Sequence, residues 1–195
     1  MDDIVKAALA KWPNVPDCYG WLGLDARGNW YMRDDNAQAA GQFCAPSTEL
    51  GRQAASKGSL LKHDKLIDFI QRNYSADAQG QWFFQNGPQR VYVELEATPY
   101  IWRVGSEPDF DVTAHTGQIA ITQRCIIDEH GRVYLETALG FGLVHTQDML
   151  QAADAIERGL WVPQEVLAHE LQKRFGYVRS PQAAQQSPHQ SLLKT

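Results

Sequence analysis

The stretch Asp128-Glu129-His130-Gly131-Arg132-Val133-Tyr134-Leu135 spells a tight turn followed by a β-strand, and the pattern occurs three times. The other copies are Asp25-Ala26-Arg27-Gly28-Asn29-Trp30-Tyr31-Met32 and Asp77-Ala78-Gln79-Gly80-Gln81-Trp82-Phe83-Phe84. Asp at the first turn position accepts a local hydrogen bond. Gly at the fourth takes the left-handed conformation that closes a three-residue hairpin loop. The glycines stand 52 and 51 residues apart. This regular recurrence predicts successive hairpins and an internal duplication. It is an architectural signal and names no reaction.

Outward from these turns, helix and strand signals alternate. Asp2 and Asp3 can cap a helix carrying Ile4, Val5, Ala8 and Leu9, which Pro13 ends. Leu66, Ile67, Ile70 and Tyr74 recur at helical spacing, which predicts a helix over 60–74. Val91, Val93 and Leu95 alternate with Arg90, Tyr92, Glu94 and Glu96, the pattern of a half-buried strand. Thr146 is placed to cap a helix carrying Met149, Leu150, Ala153 and Ile156, and Gly159 to stop it. Pro163 is read as opening a last helix with Val166, Leu167, Leu171 and Phe175 on one side. Residues 34–58 show no period and read as a long loop. The predicted fold class is therefore α+β, with two β-rich halves of antiparallel hairpins each packed on a helix. The halves are placed at 1–104 and 105–178, with the joint at Gly105–Asp109. A Ser-, Pro-, Gln- and Ala-rich tail, 179–195, is expected to be disordered.

Composition narrows the function classes. Hydrophobic residues make up 44% of the 195, enough for a real core. The net charge of -5, without clustered Lys and Arg, points away from nucleic acid. No apolar run approaches the length that spans a bilayer, and acids stand where a secretory signal would carry bases. Cys18, Cys44 and Cys125 form no paired motif, so neither a disulfide framework nor a metal clamp is expected, and a cytoplasmic protein is.

Near-matches to catalytic motifs fail on particular residues. Gly51 to Ser59 lacks the second Gly and the hydroxyl that a phosphate loop needs. His169-Glu170 is followed at position 173 by Lys, not by the second imidazole of a zinc protease. No cofactor or metal is implied. His115-Thr116 and His145-Thr146 stand where strands meet a turn or a helix start, positions that can receive an anion. Local hydrogen bonding and capping explain the same residues. Glu94, Glu96 and Arg103 flank Pro99 and can pair with one another, or Arg103 can face an anionic ligand. Arg124 carries the same two readings.

The segment from Gly58 to Val104 combines a helix, Gly80-Gln81-Trp82-Phe83-Phe84, Val91-Tyr92-Val93-Glu94 and Ala97-Thr98-Pro99-Tyr100. It resembles a family of proteobacterial proteins of unknown function, and His115-Thr116-Gly117 to Tyr134-Leu135 resembles that family's second half. Thr98 splits the family's Ala-Pro step, and His115-Thr116-Gly117 replaces its Thr-Asn-x-Gly element. The Trp12-Pro13-Asn14-Val15-Pro16 and Gly20-Trp21-Leu22-Gly23-Leu24-Asp25 runs look like a betaproteobacterial group. The resemblance implies a duplicated α+β fold with a pleckstrin-homology-like second half, a nucleotide-like ligand between halves and a signalling role.

The leading expectation is a non-enzymatic binding or regulatory protein. It would hold a small anion with Arg103, His115, Thr116 and His145, and no residue is assigned a catalytic role. The alternatives are an acid–base hydrolase or isomerase using His115 or His145 with Glu96, and a protein-interaction module docking through Trp21 and Trp161.

Overall fold

The structure is a computed structural model that describes residues 1–44 and 55–186. It is an α+β protein with two β-rich halves. The chain divides into two compact units. The first is Met1–Asp25, Asn29–Glu96 and Val178 onward; the second is Ala26–Gly28 and Ala97–Tyr177. The division thus falls after Glu96, and the expected joint at Gly105–Asp109 lies inside the second unit.

The first unit contains α1 (Asp3–Lys11), β1 (Cys18–Leu24), β2 (Trp30–Met32), α2 (Asp35–Ala40), β3 (Ser59–Leu60), α3 (Asp64–Arg72), β4 (Tyr74–Ala76), β5 (Trp82–Asn86) and β6 (Gln89–Leu95). Its sheet has the order β3-β2-β1-β6-β5-β4, with β1 and β6 parallel and the other pairs antiparallel. The sheet curls: Trp30 on β2 meets Tyr74 on β4 edge-on at 5.3 Å, though the strands stand four places apart. Leu24, Trp30, Ile70, Val93 and Leu95 fill the core.

The second unit contains β7 (Tyr100–Val104), β8 (Val112–Ala114), β9 (Ile119–Ala120), β10 (Thr122–Ile127), β11 (Val133–Thr137), β12 (Gly140–Val144), α4 (Met149–Glu157), β13 (Pro163–Glu165) and α5 (Leu171–Arg174). Its sheet runs β13-β10-β11-β12-β7-β8-β9; β7 and β12 are parallel at the junction of two antiparallel ribbons, and the edge strand β13 is parallel to β10. Only Ile121 separates β9 from β10, which stand near opposite ends of that order, so this sheet must curl until those ends approach. The Trp102 indole crosses β12 to donate to Leu135 O (3.0 Å). A Cβ on Gly142 would sit 2.4 Å from its Nε1, so only glycine fits beneath the ring.

All three Asp-x-x-Gly stretches are hairpin turns, linking β1 to β2, β4 to β5 and β10 to β11. Gly28, Gly80 and Gly131 have φ of 83°, 76° and 74°. In each turn Asp Oδ1 accepts the N–H four residues on: Asn29 (2.8 Å), Gln81 (2.9 Å) and Arg132 (3.0 Å). In each, a tyrosine hydroxyl donates to Oδ2: Tyr31 to Asp25 (3.4 Å), Tyr92 to Asp77 (3.0 Å) and Tyr134 to Asp128 (2.8 Å). Tyr92 comes from β6, where it lies opposite Phe83, the residue equivalent to Tyr31 and Tyr134.

Several expectations change. The loop at 34–58 holds α2, capped by Asp34, while 45–54 lie outside the described residues. The predicted helix over 60–74 is confined to Asp64–Arg72. Pro163 opens strand β13, parallel to β10, because an edge strand tolerates a residue without an N–H. Thr146 is exposed and does not cap; the His145 side chain does. β6 is buried on both faces over Tyr92–Leu95, not half-buried. The tail expected to be disordered is folded over 179–186, including a sixth helix, α6 (Pro181–Gln186); 187–195 lie outside the described residues.

Asp128 is 6% exposed and accepts bonds from two backbone N–H groups, the Arg132 guanidinium and Tyr134. Asp128→Ala is expected to cost about 3 kcal/mol in urea unfolding, by leaving those donors unmet. Gly131→Ala meets no atom within 4 Å and should cost only the left-handed backbone term, about 1 kcal/mol. Near-equal losses would contradict this assignment.

Candidate functional site

The four residues singled out from sequence, Arg103, His115, Thr116 and His145, all fall in the second unit. β7 organises them. β8 pairs with one side of it, setting Arg103 opposite Thr113, and β12 with the other, setting Val144 beside Trp102. The next residue, His145, donates its N–H to Trp102 O (2.8 Å), which places it level with Arg103.

At His145 the strand turns into a short 3-10 stretch, Thr146–Asp148, because the imidazole Nδ1 accepts the Gln147 N–H (3.1 Å). That turn swings Asp148 back onto β7. Asp148 Oδ2 meets Arg103 Nε at 2.5 Å and Oδ1 meets Nη2 at 2.9 Å, a bidentate pair, and Oδ2 also accepts the Val104 N–H (3.1 Å). Burial alone would raise the Asp148 carboxyl, but Arg103 and the Val104 N–H outweigh it and hold it below the usual range. Asp148 in turn raises Arg103. The Arg103 side chain is 55% exposed against 7% for Asp148, so its guanidinium is fixed in direction yet faces water.

His115 and Thr116 stand two rungs back, beside the start of β7. The His115 N–H donates to Ile101 O (2.8 Å), and its Nδ1 accepts the Ile101 N–H (3.3 Å). Acceptance at Nδ1 puts the ring proton on Nε2, which is shut off from solvent. Burial therefore pulls the imidazole down to about 3, and the side chain stays neutral at ordinary pH. Thr116 sits in the tight β8–β9 turn, within 3.2 Å of the Gln118 side chain. The structure thus groups Arg103 with His145 and leaves His115 and Thr116 outside that cluster.

Glu94, Glu96 and Arg103 do not pair with one another. Glu96 belongs to the first unit and meets Lys57 at 2.8 Å, and Glu94 is bound by Ser180 and Gln182. Arg124 faces Glu136 across β10 and β11. The thiols are not activated: burial raises Cys18 and Cys44, and Cys125 to about 11. Trp161 is buried, at 9% exposure, so it cannot form a docking patch with Trp21. Among the described residues no group of three or more His, Cys, Asp or Glu is placed to hold a metal. No helix among them is long and apolar enough to cross a membrane. A shallow depression of about 460 Å³ is lined by Asp128, Glu129, Glu165 and Glu170 with Ile127, Val166 and Leu167, a setting of the wrong sign for an anion.

Residues 1–182 match the family DUF2944, described as "Protein of unknown function (DUF2946)". The chain belongs to this family. Two solved structures are similar to this family member. A DUF1285 family protein from Silicibacter pomeroyi DSS-3 is 12% identical over 75% of this chain and 74% of its own, with a TM-score of 0.46. A second DUF1285 family protein, from Shewanella baltica OS155, is 13% identical over 69% and 91%, with a TM-score of 0.41. Comparison with the curated proteins gave no match.

Asp148 is the residue of the site that sequence reading missed. Its signal is faint: an acid three residues after a strand-ending histidine. Its partner is 45 positions away.

Because the folded His115 pKa lies below its unfolded value, folding excludes a proton there. Stability is complete above about pH 6.5 and falls toward pH 3, with a slope of up to about 1.4 kcal/mol per pH unit. Comparing unfolding of the native chain and His115→Asn between pH 6.5 and 4.5 checks this. The variant should lack that component, and parallel profiles would contradict it.

Proposed function

We propose that the chain is a non-catalytic binding protein of regulatory type, and that its second unit takes a small, nucleotide-like anion at the C-terminal end of β7. Arg103 is the principal contact. His145 and the 3-10 turn it caps frame the seat, and the His115–Thr116 turn flanks it two rungs away. One observation carries the reading: Asp148 holds Arg103 through Nε and Nη2, leaving Nη1 outside that pair on a side chain that is half exposed. A guanidinium fixed in this way is a pre-oriented donor for carboxylate or phosphate. The state of His115 favours binding over acid–base catalysis, since a neutral imidazole at about 3 is far from the range that such catalysis needs.

The matched strand orders, β3-β2-β1-β6-β5-β4 and β9-β8-β7-β12-β11-β10, support an ancestral duplication of a six-stranded unit. On this reading β7 repeats β1 and β10 repeats β4. The 52 residues from Gly28 to Gly80 then lie within one copy, whereas the 51 from Gly80 to Gly131 separate equivalent turns.

A thermal-shift panel of inorganic phosphate, nucleoside phosphates and dicarboxylates tests the binding claim. A true ligand at ten times its Kd should raise the Tm of the native chain by about 3 °C or more. Arg103→Lys keeps the charge beside Asp148 but loses the fork, and should abolish the shift. A panel without any stabilising anion, or an equal shift in the variant, would sink the proposal.

A further inference from the structure

Val178–Gln186 follows the last residue of the second unit and belongs to the first. Directional polar contacts hold it there. The Val178 N–H donates to Gly80 O (3.0 Å), and Val178 bridges in parallel to Gln81. The Leu95 N–H donates to Arg179 O (2.8 Å), and Arg179 Nη2 returns to Glu96 O (2.6 Å). Ser180 Oγ donates to Glu94 Oε2 at 2.5 Å, and the Gln182 N–H to Glu94 Oε1 at 3.0 Å. Further along, the side chains of Gln182 and Gln185 reach Gln38 (3.3 Å) and the Tyr19 hydroxyl (3.0 Å).

The receiving surface is shaped for this occupant. Gly20, at φ 80°, lies in the stretch where the β1–β6 register shifts, and a Cβ there would lie 2.5 Å from Gln182 Nε2. Glu94 is 3% exposed, and both hydrogen bonds that it accepts among the described residues come from the segment. The buried Arg33 does not meet that acid, because its guanidinium is committed to the carbonyls of Gly20 (3.0 Å), Gly41 (2.6 Å) and Ser56 (3.1 Å). With the segment in place, a nearly buried carboxylate has the donors that it needs. The segment itself contributes little to a core: among its described residues only Pro181 is buried. Polar recognition of main chain and side chains, with one apolar anchor, is how peptide ligands are bound.

We propose that the first unit carries a peptide-recognition site, built on Glu94, the backbone of Leu95 and Glu96, and the Gly20 bulge. Its ligand class is an Arg-Ser-Pro segment with polar residues following. The resident occupant is the chain's own Val178–Gln186, which leaves and returns without unfolding the sheet. Arginine is read by the carbonyls of Leu95 and Glu96, serine by Glu94, and proline by burial. The site is independent of Arg103 and does not rest on the anion reading.

The test uses the full-length chain carrying Arg179→Ala with Ser180→Ala, which weakens the occupant and leaves the receiving surface intact. Hydrogen exchange should speed up at least tenfold across 178–186 and at the Leu95 N–H that the segment accepts, and stay unchanged in β1 and in the rest of β6. A fluorescent peptide of sequence Val178–Gln186 should bind this variant saturably. It should bind the native chain more weakly, because the tethered segment competes. Adding Glu94→Gln to the variant should lower peptide affinity about tenfold. Exchange that rises in β1, or in β6 before Leu95, in step with the segment would overturn the proposal. So would an unchanged segment, equal binding to the native chain, affinity indifferent to Glu94→Gln, or no saturable binding.

Discussion

A turn carboxylate that binds both the backbone closing its hairpin and a tyrosine hydroxyl is the constraint on which both sheets depend. At Asp128 burial pushes the carboxyl toward neutrality. The Arg132 N–H, the Tyr134 hydroxyl and the Arg132 guanidinium outweigh it, so the group is held below its usual range. The same contacts recur at Asp25 and Asp77, where Oδ1 binds the backbone that closes the loop and Oδ2 binds a tyrosine hydroxyl. A hairpin whose turn is pinned cannot slip by one residue, and such a slip would move a strand's apolar set to the wrong face. Three pinned hairpins therefore decide which residues of β1, β5 and β11 enter the cores.

The local parts of this architecture were legible in the sequence. Asp and Gly at fixed offsets, followed by aromatic and β-branched residues, spell hairpins whose turns contain all the information needed. The α+β class, α1, α3 and the end of α4 at Gly159 were read from similar short-range signals. Pro163 misled because proline suits both a first helical turn and an edge strand, and only the presence of β10 decides between them. Thr146 misled because the neighbouring imidazole of His145 competes for the same cap and wins.

Long-range partnerships were not legible. Arg103 finds Asp148 45 positions away, and Glu94 finds Ser180 86 positions away. Nothing in the composition around Arg103 separates Asp148 from Glu94 or Glu96, which lie closer in sequence. The same blindness made residues 179–186 read as disordered: their own side chains bury little, and their order comes from an acid on β6. Both cases show a nearly buried carboxylate drawing a distant segment into place. At Asp148 the drawn group is a guanidinium facing water; at Glu94 it is a serine and a backbone N–H.

The pinning role of the turn carboxylates is tested most directly by carbon-detected NMR titration of the side-chain carboxyl of Asp128 in the folded protein. Its midpoint should fall below 3.8, the value of an unperturbed aspartate, with the Tyr134 hydroxyl proton visible and slow to exchange with water. A midpoint at or above 3.8, or a freely exchanging hydroxyl, would mean that the turn is not held by its carboxylate.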